Sequence, residues 1–479
     1  MQSQQKKRTQ RHTKAMKMHY RSRNRLRFPQ RVSVRLFSVF LCMAFIIGML
    51  SGCTAEQKEN LSINGFAFDT TYTITLYQGG NQKLLDSCVE KCSAYEKIFS
   101  RTLEASELYQ INEIETCYEK AALEETDTEN ASVQATHAYT EKQRKSMKEK
   151  IDQQKSKKNT ISYEIKKDGT ITFSVSELLA QIIQKGLEYA EKSEGRFDIC
   201  IEPVTSLWNF QADDPKVPDE KDIKKALPYI DYQKVFLEGQ ELSFQMPGMG
   251  LDLGGIAKGF IADDLKAYLK KNGVKAAVIN LGGNVLCVGS KEGNEPFRIG
   301  VQQPFAERDK TVAAVAVKDM SVVSSGIYER YIKTKDGKFY HHIIDPKTGY
   351  SYDNDLLGVT ILSKKSVDGD GLSTTCFAYG KEKGMEFINS LDDVYAMFIT
   401  KDEKGVRRKY QGVAYGVITS GADNNAHYEE RLCDDGETRT FLVVDGLIWN
   451  MFEDSSNIIN RDLIKSQSME LWDDGSSVE

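Results

Sequence analysis

Residues 251–284 read LDLGGIAKGF IADDLKAYLK KNGVKAAVIN LGGN, and the order of signals in this stretch decides the fold class. A Gly-rich turn at Gly254-Gly255 opens a helix expected over Gly259–Lys271, which Asn272-Gly273 closes. Val274–Asn280 follows as a short apolar strand and runs into a second turn at Gly282-Gly283. Working toward the N-terminus, Ser174–Lys192 has helical periodicity and Leu84–Phe99 reads as another helix. Phe66–Tyr77 (FAFDTTYTITLY) alternates, is rich in Thr and Tyr, and predicts one strand. Toward the C-terminus, strands are expected at Arg298–Val301, Thr311–Val317, Val322-Val323 and Val359–Leu362. A helix from about Thr374 to Asn389 should follow Asp370. A hairpin is expected from Phe441–Val444, an Asp445-Gly446 turn and Leu447–Phe452. Helices and strands mix without strict βαβ alternation, so the expected class is α+β.

The chain has 479 residues, 40% apolar and 28% charged, enough to bury a sizeable core and to exclude wholesale disorder. The formal charge of −5 hides an asymmetry. Residues 1–52 carry 12 Lys/Arg and no acid, leaving 52 of the 64 Lys/Arg against all 69 Asp/Glu, a net of −17 for the remainder. So acidic a body is a poor nonspecific nucleic-acid binder, and no nucleic-acid partner is expected. The uncharged run Leu36–Leu50 has 15 residues, short of the ~20 a membrane span needs but suited to the apolar region of a secretory signal. Leu50-Ser51-Gly52-Cys53 follows directly and resembles the bacterial lipobox, in which the cysteine is lipidated and becomes the new N-terminus. The expected organisation is a signal at 1–52 and a lipidated tether at 53–60, placing the protein on the extracytoplasmic face of the cell membrane. Residues 116–160 are polar, with acidic and then Lys-rich runs, and read as an inserted, solvated or partly disordered excursion, or else as a lone charged helix. Cys88 and Cys92 lie one helical turn apart with no second pair at zinc spacing, and His is scarce, so a Cys/His metal site is not expected.

Four constellations carry candidate chemistry. In 251–260, a Gly-rich turn, a helix start and Lys258 suit anionic oxygens, or equally a tight turn with a solvated lysine. In 367–375 (VDGDGLSTT), Asp370 and Thr374 are four apart; on one helical face they suit a hard cation such as Mg²⁺, while Asp370 alone suits an N-cap. In 340–349 (YHHIIDPKTG), a His pair beside a strand and a Pro turn offers a general base or a structural pair. Gly195-Arg196-Phe197-Asp198, followed by Pro203, Leu207, Trp208 and Phe210, offers aromatics to stack on a planar ring or to fill a core.

No one of these decides alone, but their order does. A lipobox, the Phe68-Asp69-Thr70-Thr71-Tyr72 segment, Ser106-Glu107-Leu108 leading to Asn112, GRFD (195–198), DLGGIAKG (252–259), NLGGN (280–284), SSGIYERY (324–331), HHIIDPKTG (341–349) and DGLSTT (370–375) together resemble the FAD:protein FMN transferases, the ApbE-type family. The resemblance covers about 61–405, interrupted by the 116–160 insertion, and leaves 406–479 as a C-terminal extension of unassigned role. It implies a duplicated core of mixed and antiparallel sheets with packed helices. It also implies FAD as substrate and Mg²⁺ as cofactor, with the FMN half passing to a Thr or Ser hydroxyl and AMP leaving. The implied acceptor is an extracytoplasmic protein of a membrane redox system, with a motif like Ser/Thr-Gly-Ala-Ser/Thr. Carried onto this chain, Asp370, Thr374 and the Gly255 carbonyl would hold the metal. Asp252, Lys258, the Ile344 backbone, Ser373, the Arg196-Phe197-Asp198 segment and, at the flavin end, Phe68 would contact FAD, as would Thr102, where relatives often place an aromatic. His342 would be the catalytic base ahead of Asp345, with Asp370 as its catalytic companion. The chain departs from the family where Glu202 precedes Pro203. Two other readings fit the same motifs: a metal-dependent FAD pyrophosphatase with water as acceptor, and a non-catalytic FAD-binding lipoprotein.

Overall fold

A computed structural model describes residues 60–126, 139–212, 214–308 and 310–400, and beyond them the strand backbones 415–420, 427–432, 438–444, 447–451 and 469–471. The signal segment, Cys53 and the Asp445-Gly446 turn lie outside the described residues. Every strand ladder among the described residues is antiparallel, and helices pack on the sheets, as the α+β expectation requires. The main sheet has nine described strands in the order Leu61–Ala67, Thr70–Gln78, Ala276–Leu281, Asn284–Gly289, Ser321–Gly326, Leu356–Ser363, Tyr395–Thr400, Tyr415–Ser420 and Met469–Leu471. A second sheet has five described strands and includes Phe297–Gln302 and Thr311–Val317; the latter pairs with Leu447–Met451. Thr438–Val444 and Leu447–Met451 pair as the hairpin read from the sequence. The 406–479 extension therefore contributes strands to both sheets.

Three expectations are corrected. Phe66–Tyr77 is not one strand but a hairpin, Leu61–Ala67 against Thr70–Gln78, turning at Phe68-Asp69. Both turn residues have positive φ, 56° and 57°. A tight hairpin demands that backbone, but it usually announces itself as Asn-Gly, and Phe-Asp carries no such signature. Second, the 116–160 segment is not a solvated excursion where it is described. The helix Glu107–Thr126 buries Cys117, Tyr118, Ala121 and Ala122, and it packs on a second helix, Glu141–Gln154, which buries Met147 and Ile151. Residues 127–138 between them lie outside the described set. Two apolar anchors on an otherwise polar helix are enough to dock it but too few to raise a visible apolar stripe.

Third, the helix around Asp370 begins earlier than expected, at Ser366, and ends at Tyr379; a separate helix, Lys381–Asn389, follows Gly380. Asp370 is thus not its N-cap. The run Asp-Gly-Asp-Gly reads as a loop because each helical glycine costs about 1 kcal/mol relative to alanine. Here the glycines serve close packing: a Cβ at Gly369 would meet the Val323 side chain at 2.5 Å, and one at Gly371 the Tyr189 ring at 2.6 Å. The helix lies on strands Ser321–Gly326 and Leu356–Ser363 and crosses the helix Ala257–Lys271 at Gly259. There a Cβ would fall 2.3 Å from the Ser366 carbonyl oxygen and 2.7 Å from Val367 Cα. Backbone cannot yield as a side chain can, so Gly259→Ala should destabilise the fold by about 1–3 kcal/mol, read as a lowered urea midpoint. An unchanged midpoint would mean the crossing is looser than described.

Candidate active site

The crossing at Gly259 builds the site. Asp370 is buried, with its Oδ2 accepting from the Gly259 amide at 2.6 Å and its Oδ1 from Asn284 Nδ2 at 2.9 Å. Asn284 is fixed in turn, because its Oδ1 accepts from the Ser366 hydroxyl at 2.7 Å. Burial pushes the Asp370 carboxyl above its ordinary range, while the Lys258 cation, Asn284 and Gly259 oppose that rise. The N-terminus of the Asp370 helix has no side-chain cap of its own. Asp263, from the Lys258 helix, supplies one across the crossing: its two oxygens accept from Ser366 N at 2.8 Å and Val367 N at 2.9 Å. Burial raises Asp263 to about 6 against those same amides.

Thr374 follows Asp370 by one turn and is half-buried, whereas Gly255 is exposed on the loop before Lys258. Each Asp370 oxygen accepts one N–H and keeps a lone pair. One carboxylate, one hydroxyl and one carbonyl would make an all-oxygen donor set, the chemistry that fits a hard ion such as Mg²⁺ with water and substrate oxygens completing its shell. No group of three or more His, Cys, Asp or Glu side chains forms a metal cluster among the described residues.

The two histidines separate cleanly. His341 is buried; its Nε2 donates to the Tyr352 carbonyl at 3.0 Å and its Nδ1 accepts from Ile343 N at 3.3 Å, a structural pairing. His342 keeps some exposed surface, and its Nδ1 lies 3.3 Å from the Arg330 carbonyl. That carbonyl assigns the ring proton to Nδ1 and leaves the Nε2 lone pair to act as a base. Desolvation, reinforced by the Arg330 and Lys258 cations, pushes His342 down to about 3. The Lys258 charge therefore acts on both Asp370 and His342. Asp345 holds the following turn, accepting from Lys347 N at 2.9 Å, and is not placed as a base.

Asp252 pairs with Arg101 at 3.1 Å and accepts from Thr205 Oγ1 at 2.8 Å and Gly254 N at 2.9 Å, so it shapes the loop that presents Gly255. Thr102 is exposed next to Arg101. Asp252 N donates to Ile199 O at 2.8 Å, which ties this loop to the Arg196-Phe197-Asp198 segment. Phe197 is buried against Gly255, where a Cβ would approach its ring to 3.0 Å. Asp198 is buried and accepts from Cys200 N at 2.8 Å and Tyr232 N at 3.0 Å, making it a backbone cap. Arg196 lies 4.9 Å over the Tyr379 ring and pairs with Glu194 at 2.9 Å. Ser373 is fully buried, donating to the Asp370 carbonyl at 3.0 Å with Ser325 Oγ 2.7 Å away. Ile344 is buried in a small cluster with Val204, Trp208 and Ile223, so the aromatics after Asp198 fill a core. Phe68 is half-buried in its turn; its N–H donates to Glu96 Oε1 at 3.1 Å, and Arg330 Nη2 donates to the Asp69 carbonyl at 3.3 Å. Sequence reasoning did not single out Asp263, Arg101 or Arg330. Asp263 left a trace, five residues after Lys258 on an otherwise mixed helix, and Arg330 lies within the SSGIYERY motif without being picked out.

The ApbE family model matches residues 128–398, more than half of the chain, and a model described as the YonD N-terminal domain matches 395–478. The chain is 38% identical to the FAD:protein FMN transferase of Klebsiella pneumoniae over 250 residues, 52% of this chain and 77% of that protein. It is 36% identical to the FAD:protein FMN transferase of Treponema pallidum over 245 residues, 48% and 67% of the two chains. The crystal structure of the ApbE protein from Thermotoga maritima superimposes with a TM-score of 0.54 at 25% identity, covering 71% of this chain and 94% of that one. The flavin transferase ApbE from Vibrio cholerae, at 22% identity, shares the fold with a TM-score of 0.56 over 76% and 98% of the two chains. Fold and relatives together place the chain among the transferase enzymes. It belongs to the ApbE family, and the motifs that define the site fall inside the matched region or just before it.

The site makes a prediction independent of turnover. In a nitrogen-detected NMR titration of the free protein, His342 should stay neutral with the proton on Nδ1 well below the ordinary histidine value of about 6.5, because folding disfavours the imidazolium. Titration near 6.5 would show that the ring is neither desolvated nor in the field of Lys258 and Arg330.

Proposed function

We propose that this chain transfers the FMN half of FAD to a Ser or Thr hydroxyl of an acceptor protein and releases AMP. The observation that carries the reading is the helix crossing at Gly259, where Asp370 accepts the amide next to Lys258 and the Lys258 charge acts on both Asp370 and His342. A cation and a buried carboxylate adjoin where the two helices cross, and the His342 imidazole lies in the field of that cation, the composition that phosphoryl transfer to a hydroxyl needs. Asp370, Thr374 and the Gly255 carbonyl would hold Mg²⁺, which when bound neutralises pyrophosphate charge that Lys258 alone leaves uncompensated.

The residues then divide the work. Lys258, in the first turn of its helix, binds the pyrophosphate oxygens. The Phe68 turn and the Arg196-Phe197 segment flank the flavin and nucleotide ends. His342 Nε2 takes the proton as the acceptor hydroxyl attacks the FMN phosphorus. The new bond is hydroxyl oxygen to phosphorus; the bond that breaks joins that phosphorus to the bridging oxygen, which leaves with AMP. In the free protein His342 is a weak base, but the negative charge of bound pyrophosphate beside it raises its affinity for the proton. Part of the depression is therefore relieved when substrate arrives. The reaction takes place at the extracytoplasmic face, with the chain tethered through Cys53 so that its encounter with membrane-bound redox proteins is favoured.

The test is intact-mass spectrometry of the protein, FAD, Mg²⁺ and an acceptor domain carrying Ser/Thr-Gly-Ala-Thr, with AMP followed in parallel. An FMN adduct on the acceptor and stoichiometric AMP are expected. Asp370→Ala should lower the rate by at least about 10², and chelation should abolish it. FMN and AMP without an adduct would make water the acceptor, and neither product with FAD still bound would overturn both enzymatic readings.

A further inference from the structure

Arg330 stands apart among the arginines near the site. Arg101 pairs with Asp252 and Arg196 with Glu194, whereas Arg330 is half-buried with no carboxylate partner among the described residues. Of its five N–H donors one is occupied, on the Asp69 carbonyl at 3.3 Å. Lys258 likewise has no ion-pair partner among the described residues. Both cations act on His342 from different elements: Lys258 from its helix, and Arg330 from the segment whose carbonyl accepts from His342 N at 3.1 Å and Nδ1 at 3.3 Å.

A half-buried cation without a counter-charge carries a desolvation penalty that an anion removes. In a body with a net charge of −17 beyond residue 52, unpaired half-buried cations are not explained by a shortage of carboxylates. A guanidinium fork matches two phosphoryl oxygens where an ammonium meets one. Arg330 also bridges the turn holding Phe68 to the segment holding His342, so it sits between the expected flavin end and the base.

We propose that Arg330 is a substrate-binding residue, its free guanidinium N–H groups gripping the phosphoryl oxygens on the FMN side of the FAD pyrophosphate while Lys258 meets the same anion from its helix. This rests on the flavin-transfer reading above. It makes the FMN phosphorus, the one that the acceptor hydroxyl attacks, the better neutralised of the two. The bond to Asp69 then has a second effect, since it holds the guanidinium in place before substrate arrives.

The test uses the full chain with Arg330→Ala and Arg330→Lys. Binding is measured for inorganic pyrophosphate and for riboflavin, which lacks phosphate, by competition against FAD followed through flavin fluorescence. Transfer is measured by the adduct assay. Arg330→Ala should weaken pyrophosphate about tenfold or more, leave riboflavin unchanged, and lower kcat/KM for FAD by about 10² to 10³. Arg330→Lys should fall between, and added methylguanidinium should restore part of the alanine variant's rate. Unchanged pyrophosphate affinity overturns the proposal. So does equal loss of pyrophosphate and riboflavin, which would make Arg330 a mere brace for the Phe68 turn. If the wild-type protein transfers no FMN, the transfer reading fails, while the pyrophosphate comparison still decides the role of Arg330.

Discussion

The site depends on one backbone contact, the hydrogen bond from the Gly259 amide to Asp370 where two helices cross. It requires that residue 259 have no side chain, because any Cβ would strike the Ser366 carbonyl. It also requires that the second helix enter the crossing with its first amides satisfied, which Asp263 provides from the first helix. The two helices thus cap one another: one lends a carboxylate to the other's N-terminus, and receives a carboxylate beside its own. The helix dipoles reinforce both contacts, since each N-terminus meets negative charge. Asn284, at the start of a strand in the main sheet, locks the arrangement to the sheet through Ser366 and Asp370.

From this contact the electrostatics follow. Asp370 is buried deeply enough that its charged form is disfavoured, yet Lys258, an amide and a carboxamide hold it. The donor set is therefore poised for a cation without being collapsed onto one of its own lysines. Arg330 balances this on the other side as a cation without a carboxylate partner among the described residues, and Lys258 makes no close ion pair there. Such a site is incompletely compensated when empty. A dianionic pyrophosphate together with a divalent ion would complete it, and each would improve the binding of the other.

The sequence carried the candidate site better than the architecture around it. Lys258, Asp370, Thr374 and His342 were legible because their motifs fall in a family order, and the helices holding Lys258 and Asp370 join at Gly259. Helices such as Glu177–Lys192 were legible from periodicity, with Ser176 capping as its type prefers. What escaped has physical causes. The Phe68-Asp69 turn uses left-handed backbone on residues that disfavour it, and tertiary bonds from Glu96 and Arg330 hold it there. The Asp370 helix hid behind glycines chosen for proximity to Val323 and Tyr189, a long-range reason that no local window contains. Ser373 and Asp198 were expected at the ligand, and the structure engages them with backbone, because a short polar side chain in a buried turn or helix finds its nearest partner locally.

The C-terminal strands pose a question of boundaries that the sheet itself answers. The two family matches meet at residues 395–398, inside the strand Tyr395–Thr400. That strand is interior to the main sheet, with Leu356–Ser363 on one side and Tyr415–Ser420 on the other, and its residues from Ala396 onward are buried. A chain cut there would end the sheet on an apolar edge with a full row of unpaired amides and carbonyls, a template for pairing with other chains. A domain boundary belongs where few contacts cross it, and here a complete antiparallel ladder crosses it. The same holds in the second sheet, where Leu447–Met451 pairs with Thr311–Val317 from the middle of the chain. The strands past residue 400 are thus continuous with the transferase core, and they cover an edge that would otherwise be open.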